Sequence, residues 1–218
     1  MAALSSIDTI IFDLDGTLLD TIADLATSTN YALSQMGYPV HPVSNIRRFV
    51  GNGIRMLVKR AVPEGISDNE YEQTFQIFRD HYVVHCALQT TPYEGIPELL
   101  DELAKRGYKL GIVSNKLQPA VTDLARHFFD RHIRVAIGEG PNTRRKPAPD
   151  SVLRAMDLLN TTAEHTLYVG DSEVDLQTAA NAGTRIVSVS WGFRSREQLL
   201  ALNPPYLIDH PKELLNLI

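Results

Sequence analysis

The chain has 218 residues, of which 44% are hydrophobic and 22% are charged, a composition typical of a globular protein with a sizeable core. The 26 Asp and Glu residues outnumber the 21 Lys and Arg residues, and the net charge of -5 argues against a nucleic-acid partner. Its single cysteine, Cys86, excludes an intramolecular disulfide and fits a reducing compartment. Because no apolar segment is long enough to cross a bilayer and no signal-peptide pattern is present, we expect a cytoplasmic protein with no membrane partner.

The first predicted element is a strand at residues 9–12, a short apolar run that ends at Asp13. Three helical patterns follow with no strand pattern between them, at residues 22–36, 53–61 and 68–86. We therefore expect a helical cap at residues 22–87, inserted into an α/β core made of residues 1–21 and 88–218.

From about residue 93 onward, strand and helix patterns alternate. Further strands are predicted at residues 109–113, 133–137, 166–169 and 185–189. Further helices are predicted at residues 97–106, 149–159 and 172–181. This alternation predicts an α/β fold class with a Rossmann-like, doubly wound parallel sheet, and the apolar strands are typical of strands buried on both faces.

Polar residues follow the strands at the end where such sheets bind ligands. Asp13 and Asp15 follow the first strand, and residues two apart in an extended chain share a face. Two such carboxylates repel each other unless a hard cation such as Mg²⁺ compensates their charge. One carboxylate can then attack phosphorus while the other handles the proton of the leaving group. Gly16 allows close approach of the backbone to an anion and Thr17 adds a hydroxyl donor, although a solvated Asp pair is a common alternative.

Ser114 and Asn115 follow the strand at residues 109–113, where they can bind phosphate oxygens or simply cap a helix. Lys146 is flanked by Pro147 and Pro149, which stiffen its loop. An ammonium group held in this way can neutralise a transferred phosphoryl group, although a solvated basic loop explains it equally well.

Asp171 and Asp175 follow the strand at residues 166–169. They are four residues apart, so they share a face if a helix begins at Ser172. Acidic residues are also favoured at a helix start by the helix dipole, which is the simpler explanation. In the functional interpretation, Asp171 is a metal ligand, and Asp175 supports the site without binding the metal itself.

Together, these motifs resemble those of the haloacid dehalogenase superfamily, and the match runs through the whole chain. The matching segments are D-L-D-G-T-L-L-D-T at residues 13–21, Ser114-Asn115, Lys146-Pro147-x-Pro149 and Gly170-Asp171-x-x-x-Asp175. The resemblance implies a Rossmann-like core with a helical cap inserted after the first strand. It also implies a magnesium-dependent enzyme that passes through an aspartyl-phosphate intermediate.

The resemblance further implies individual roles. Asp13 would be the nucleophile and a magnesium ligand, and Asp15 the general acid and base, with its backbone carbonyl on the metal. An aspartate at position 15 favours a phosphatase or phosphomutase, because a dehalogenase needs no acid for an alkoxide leaving group. The remaining implied roles are the phosphoryl-binding residues Ser114 and Lys146, the magnesium ligand Asp171 and its supporting residue Asp175.

Within the superfamily, the segment at residues 49–54 resembles the cap motif of bacterial phosphoglycolate phosphatases. Exposed N–H groups at Gly51, Asn52 and Gly53, ahead of a helix, would offer a seat for a substrate carboxylate. Nearby arginines, namely Arg47, Arg48 and Arg55, can add charge, although a solvated basic helix face is the favoured interpretation for them. The predicted partner is therefore a small phosphorylated metabolite, with 2-phosphoglycolate as the best candidate.

Several alternatives stay open. The same residues can serve a pyrophosphatase or a sugar phosphomutase, and the chain can act as a monomer or a homodimer. From another class, a non-catalytic phosphate-binding protein or a signalling protein that accepts a phosphoryl group would use similar residues. A signalling receiver domain is much shorter and lacks a cap, and the complete set of carboxylates and lysine argues against a silent binding protein.

Two groups outside the motifs have simpler interpretations. His81 and His85 are four residues apart and can share a metal ion, but no third ligand is evident in the sequence. A helix-surface or core position is therefore the favoured interpretation for them. Residues 191–194, Trp-Gly-Phe-Arg, resemble a superfamily loop near the active site, and ordinary loop packing explains them equally well.

Overall fold

A computed structural model describes residue 4 and residues 6–51, 53–141 and 143–218. The chain forms two compact units. One consists of Met1–Leu19 together with Pro92–Ile218, and the other is the segment Asp20–Thr91. Their assignment as catalytic core and cap stays a prediction.

The strands are numbered in chain order. They are β1 (Thr9–Phe12), β2 (Leu19–Asp20), β3 (Thr91–Pro92), β4 (Lys109–Leu117), β5 (Val135–Glu139), β6 (Thr166–Gly170), β7 (Arg185–Val189) and β8 (Leu207–Ile208). Within the described residues, the main sheet has six strands in the order β5-β4-β1-β6-β7-β8, and its neighbouring strands are parallel. Strands β2 and β3 form a second, two-stranded sheet. The predicted α/β class with a parallel sheet is therefore confirmed.

The α-helices are likewise numbered in chain order. Those of the first unit are α5 (Ile96–Lys105), α6 (Gln118–Phe129), α7 (Asp150–Leu159), α8 (Glu173–Ala182) and α9 (Arg196–Ala201). Those of the segment Asp20–Thr91 are α1 (Ile22–Gln35), α2 (Val43–Phe49), α3 (Ile54–Ala61) and α4 (Asp68–His85). Short 3₁₀ helices cover Ala163–His165 and Pro211–Asn216.

The central strand β1 is buried on both faces, as its apolar run predicts. Ile10 and Phe12 point into an apolar cluster with Leu110 and Val169. Ile11 points to the opposite face and joins a separate cluster around Tyr168 and Val152. This alternation explains why the strand carries no polar residue that needs solvent until it reaches Asp13.

One predicted boundary is wrong in a way that matters for the site. Ser114 and Asn115 were expected just after a strand that ends at residue 113, but they lie inside β4, which continues to Leu117. The pairing of β4 with β5 shifts in register between Val113 and Leu117. Polar residues therefore occupy the last part of a buried strand, which an apolar-run criterion cannot detect.

In the segment Asp20–Thr91, helix α1 packs along α4. Ser67 and Glu70 form a reciprocal capping box at the start of α4. The rings of His81 and His85 stack with their centroids 3.9 Å apart, and His81 Nδ1 lies 3.0 Å from Ser28 Oγ. Neither histidine belongs to a group of three metal-ligating side chains among the described residues. No described helix combines the length and apolar character required to cross a membrane.

Candidate active site

The candidate site lies at the carboxyl ends of neighbouring strands in the first unit. Asp13 follows β1, and its backbone N–H donates to the carbonyl of Val169 in β6 at 2.9 Å. Asp171 follows β6 directly, and Ser114 lies near the end of β4. Because β1 pairs with both β4 and β6, side chains separated by more than a hundred residues meet at one edge of the sheet.

Three carboxylates form the acidic centre of this site. Asp13, Asp171 and Asp175 each offer an oxygen, and these oxygens lie within 4.8 Å of one another. The exposed fractions of the three residues are 7%, 2% and 0% respectively. Carboxylate oxygens crowded in this way are the donors that hard divalent cations prefer, so the donor set fits a metal ion such as magnesium.

A buried lysine holds two of these carboxylates. Lys146 Nζ donates to Asp13 Oδ1 and to Asp175 Oδ1, each at 2.8 Å, and to the hydroxyl of Tyr168 at 3.0 Å. Burial by itself would lower the pKa of Lys146, but the carboxylates of Asp13 and Asp175 raise it well above its usual value. Lys146 is therefore positively charged at neutral pH.

The negative charge of the carboxylates is only partly compensated by Lys146. Burial raises the pKa of Asp13 to about 7, and the contact with Lys146 only partly opposes this effect. Burial, together with the charges of Asp175 and Asp13, likewise raises the pKa of Asp171 well above its usual value. One lysine does not neutralise three buried carboxylates, so the arrangement favours an additional cation.

Asp15 is held by a second lysine that the sequence analysis missed. Lys116 Nζ donates to Asp15 Oδ1 at 2.6 Å, and Lys116 is only 4% exposed. The hydroxyl of Ser114 donates to Asp15 Oδ2 at 3.3 Å, and the backbone N–H of Lys116 donates to Ser114 Oγ at 3.1 Å. The sequence signal for this contact is the position of Lys116, two residues after Ser114 and within β4, which continues to Leu117.

Asn115 holds the loop that carries Lys146. Its Oδ1 accepts from the backbone N–H of Lys146 at 2.7 Å, and its Nδ2 donates to the carbonyl of Lys146 at 3.1 Å. Both ends of the amide are therefore engaged with the backbone of one residue. This geometry makes Asn115 a positioning residue for Lys146, and its predicted contact with substrate stays a prediction.

Asp175 performs two tasks at the start of α8. Its Oδ1 accepts from Lys146 and from the hydroxyl of Tyr168, at 2.8 and 3.1 Å. Its Oδ2 accepts from the hydroxyl of Ser172 at 2.5 Å and from the backbone N–H of Ser172 at 3.2 Å, and the second of these bonds belongs to a capping box. The helix-start interpretation is therefore confirmed for Asp175, and its role in supporting the site stays a prediction.

Gly16 and Thr17 lie in the turn after Asp15. Gly16 has a φ of +91°, and a Cβ atom at this position would lie 2.4 Å from Asp171 Oδ2. The turn therefore needs glycine both for its conformation and for its close approach to that carboxylate. The hydroxyl of Thr17 is buried and has no hydrogen-bond partner among the described residues, so it can donate to a ligand.

The predicted substrate-binding segment at Gly51, Asn52 and Gly53 belongs to the other unit. Gly51 and Gly53 have φ angles of 124° and 82°, and Gly53 immediately precedes α3. Asn52 lies outside the described residues. The carbonyl of Gly51 accepts from Arg60 Nη1 at 3.2 Å.

A buried aspartate, two lysines and an acidic cluster that fits a metal ion thus lie together at the carboxyl edge of a doubly wound parallel sheet, which is where such sheets bind ligands. The model of the haloacid dehalogenase-like hydrolases matches residues 10–189. The chain belongs to this family.

Relatives and solved structures agree with the assignment. The chain is 30% identical to a phosphoglycolate phosphatase of Aquifex aeolicus, covering 96% of this chain and 95% of the relative. It is 33% identical to an N-acetylmuramic acid 6-phosphate phosphatase of Pseudomonas aeruginosa, covering 96% and 93% respectively. A hydrolase of the haloacid dehalogenase-like family from Streptococcus pneumoniae superposes with a TM-score of 0.87 at 26% identity, covering 97% and 98%.

Proposed function

We propose that this chain is a magnesium-dependent phosphatase that hydrolyses a small phosphomonoester through an aspartyl-phosphate intermediate, with 2-phosphoglycolate as its substrate. The observation that carries the proposal is the meeting of Asp13, Lys146 and Asp171 at one edge of the sheet. The relatives named above are phosphatases of small phosphorylated compounds, and their phosphatase class extends to this chain.

Asp13 is the proposed nucleophile. One of its carboxylate oxygens forms the bond to phosphorus while the bond from phosphorus to the leaving oxygen breaks. Lys146 already contacts Asp13 Oδ1, so its charge lies next to the phosphoryl group as that group is transferred. The buried hydroxyl of Thr17 is one proposed donor to the phosphoryl oxygens. The hydroxyl of Ser114, which donates to Asp15 Oδ2 in this structure, becomes the second proposed donor by rotating toward the phosphoryl group when substrate binds.

Asp15 is the proposed general acid and base. It gives a proton to the leaving oxygen in the first step. In the second step it takes a proton from the attacking water, whose oxygen bonds to phosphorus while the bond from phosphorus to Asp13 breaks, and this restores the Asp13 carboxylate and the protonated Asp15. Its carboxylate is held at one oxygen by Lys116 and at the other by Ser114, so its direction is set before substrate arrives.

Asp13 and Asp171 are the proposed carboxylate ligands of magnesium, the backbone carbonyl of Asp15 is a third proposed ligand, and Asp175 supports the site through Lys146. When bound, magnesium would offset the repulsion between the buried carboxylates and the phosphoryl group. The acidic cluster supports a divalent cation, and its hard oxygen donors support magnesium in particular.

We further propose that the helical segment Asp20–Thr91 is the cap domain and that Gly51, Asn52 and Gly53 bind the substrate. Support comes from Gly53, which lies directly before α3 at the N-cap position, where helix N–H groups favour an anion. A cytoplasmic location and a monomeric or homodimeric state stay predictions.

The test is phosphate release from a panel of substrates with Mg²⁺. The panel contains 2-phosphoglycolate, N-acetylmuramic acid 6-phosphate, pyrophosphate and a hexose phosphate. We expect the highest kcat/KM for 2-phosphoglycolate, and loss of activity in Asp13→Asn. Asp123→Asn, which removes an exposed carboxylate of α6, is the matched control and should keep full activity.

The outcomes separate the candidate functions. A higher kcat/KM for N-acetylmuramic acid 6-phosphate would show that the substrate is a sugar phosphate. This alternative is specific because the second relative is a phosphatase of that compound. Preference for pyrophosphate, or isomerisation of the hexose phosphate without phosphate release, would select the remaining enzyme alternatives. Full activity in Asp13→Asn would refute the aspartyl-phosphate mechanism.

A further inference from the structure

The segment Trp191–Arg194, hereafter the clamp segment, follows β7 and contacts both the turn after Asp15 and the acidic residue Asp171. Trp191 Nε1 donates to the carbonyl of Thr17 at 3.0 Å, which ties the segment to the turn after Asp15. The backbone N–H of Phe193 donates to Asp171 Oδ2 at 2.7 Å. One short segment therefore connects the turn that follows Asp13 with a carboxylate that follows β6.

Gly192 brings the backbone of the clamp segment directly against this carboxylate. A Cβ atom at position 192 would lie 2.4 Å from Asp171 Oδ2 and 2.3 Å from the carbonyl oxygen of Gly16. Gly16 makes the same approach from the other side, since its own Cβ would lie 2.4 Å from Asp171 Oδ2. The carboxylate of Asp171 is therefore packed against two glycines and has little room to rotate.

The far end of the clamp segment is anchored as well. Arg194 Nε and Nη2 donate to the two carboxylate oxygens of Glu173, at 2.8 and 2.9 Å. This two-point ion pair ties the segment to the first residue of α8, two residues after Asp171. The segment is thus fastened at Thr17, at Asp171 and at Glu173.

These contacts oppose the electrostatic repulsion that acts on the carboxylate of Asp171. Asp171 lies in a buried group with Asp13 and Asp175, and when these carboxylates are ionised they repel one another at this spacing. A mobile carboxylate would turn away from its neighbours, which would spread the oxygens that a cation must bind together. An N–H donor at Oδ2 prevents this rotation and leaves Oδ1 as the oxygen to offer to a cation.

We propose that the clamp segment is a positioning device that holds Asp171 by its Oδ2, so that its Oδ1 is preset as a ligand for the divalent cation. Gly192 supplies the close approach, Phe193 the N–H donor and Trp191 the link to the turn after Asp15. The inference rests on the proposed metal-dependent function and adds to it residues that neither bind the metal nor touch the substrate.

The test measures Mg²⁺ affinity by isothermal titration calorimetry on the folded, metal-stripped protein. Gly192→Ala should raise the Kd for Mg²⁺ by about 10- to 100-fold, the loss typical when a supporting contact to a metal ligand is removed. Gly140→Ala is the matched control, because a Cβ at Gly140 meets no atom of the described residues within 4 Å. Its Kd should equal that of the wild type.

A second variant keeps the test decisive if Gly192→Ala does not fold. Trp191→Phe keeps an aromatic ring and removes only the indole N–H, and it should raise the Kd by a smaller factor. The melting temperature of each metal-free variant is measured in parallel. A purely structural role would lower that temperature and leave the Kd unchanged, and this result in either folded variant would overturn the proposal.

Failure of the inference and failure of the proposed function give different results. If the wild type binds no Mg²⁺ and releases no phosphate, the proposed function fails and the inference fails with it. If the wild type binds Mg²⁺ and folded Gly192→Ala binds it equally well, only the inference fails. A raised Kd in Gly192→Ala with a normal Kd in Gly140→Ala supports both.

Discussion

The buried carboxylates should make the metal-free protein less stable as the pH rises from 6 to 8. Burial raises the pKa of Asp13 from 3.8 to about 7 and the pKa of Asp171 well above 3.8. In the unfolded chain both groups lose their protons near pH 4. The folded state therefore keeps protons that the unfolded state has already released, and the free energy of unfolding falls as the pH rises through this window.

The magnitude follows from the difference in pKa. Each pH unit corresponds to about 1.4 kcal/mol for one group, so for Asp13 the three-unit difference amounts to roughly 4 kcal/mol once it is ionised in both states. Between pH 6 and pH 8, Asp13 alone accounts for about 1 to 2 kcal/mol of the loss. Asp171 acts in the same direction, because its pKa is also raised. A bound cation stabilises the ionised carboxylates and should remove most of the slope.

Urea unfolding at pH 6, 7 and 8 in the presence of a chelator checks this prediction. Asp13→Asn should flatten the pH dependence and raise the stability at pH 8, although it abolishes turnover. Asp123→Asn should behave as the wild type, and added Mg²⁺ should stabilise the wild type most at pH 8. A wild-type stability that stays constant or increases from pH 6 to pH 8 without metal would refute the reasoning.

Three further variants test single contacts. Lys146→Met should reduce kcat by about 100-fold or more, because it removes the cation beside the proposed nucleophile. Phosphate release measures this loss, and circular dichroism checks that the fold is kept. Lys116→Met should lower kcat/KM by roughly tenfold, and Lys116→Arg should recover part of it, because Asp15 loses its anchored direction. Asp24→Ala should cost about 1 to 3 kcal/mol and speed amide exchange at Thr90, whose N–H and hydroxyl both donate to Asp24.

The main elements and the position of the candidate site could be predicted because their signals are local. A strand buried on both faces must be an apolar run, and residues 9–12 form such a run. Helix α6 escaped prediction although its buried residues recur with helical spacing. Two other elements that escaped prediction have weak local signals. Strand β8 has only two residues, and the polar end of β4 lacks an apolar run.

The sequence by itself determined the fold class and the principal candidate residues, since Asp13 and Asp171 stand directly at strand ends and parallel strands bring their carboxyl ends to one edge. Only the tertiary structure decided how these residues are held. Lys116 meets Asp15 across 101 positions, and Phe193 meets Asp171 through a backbone N–H that no residue type announces. Contacts of this kind depend on the order of strands in the sheet and on the close approach of two backbone segments. A local sequence pattern contains information on neither feature.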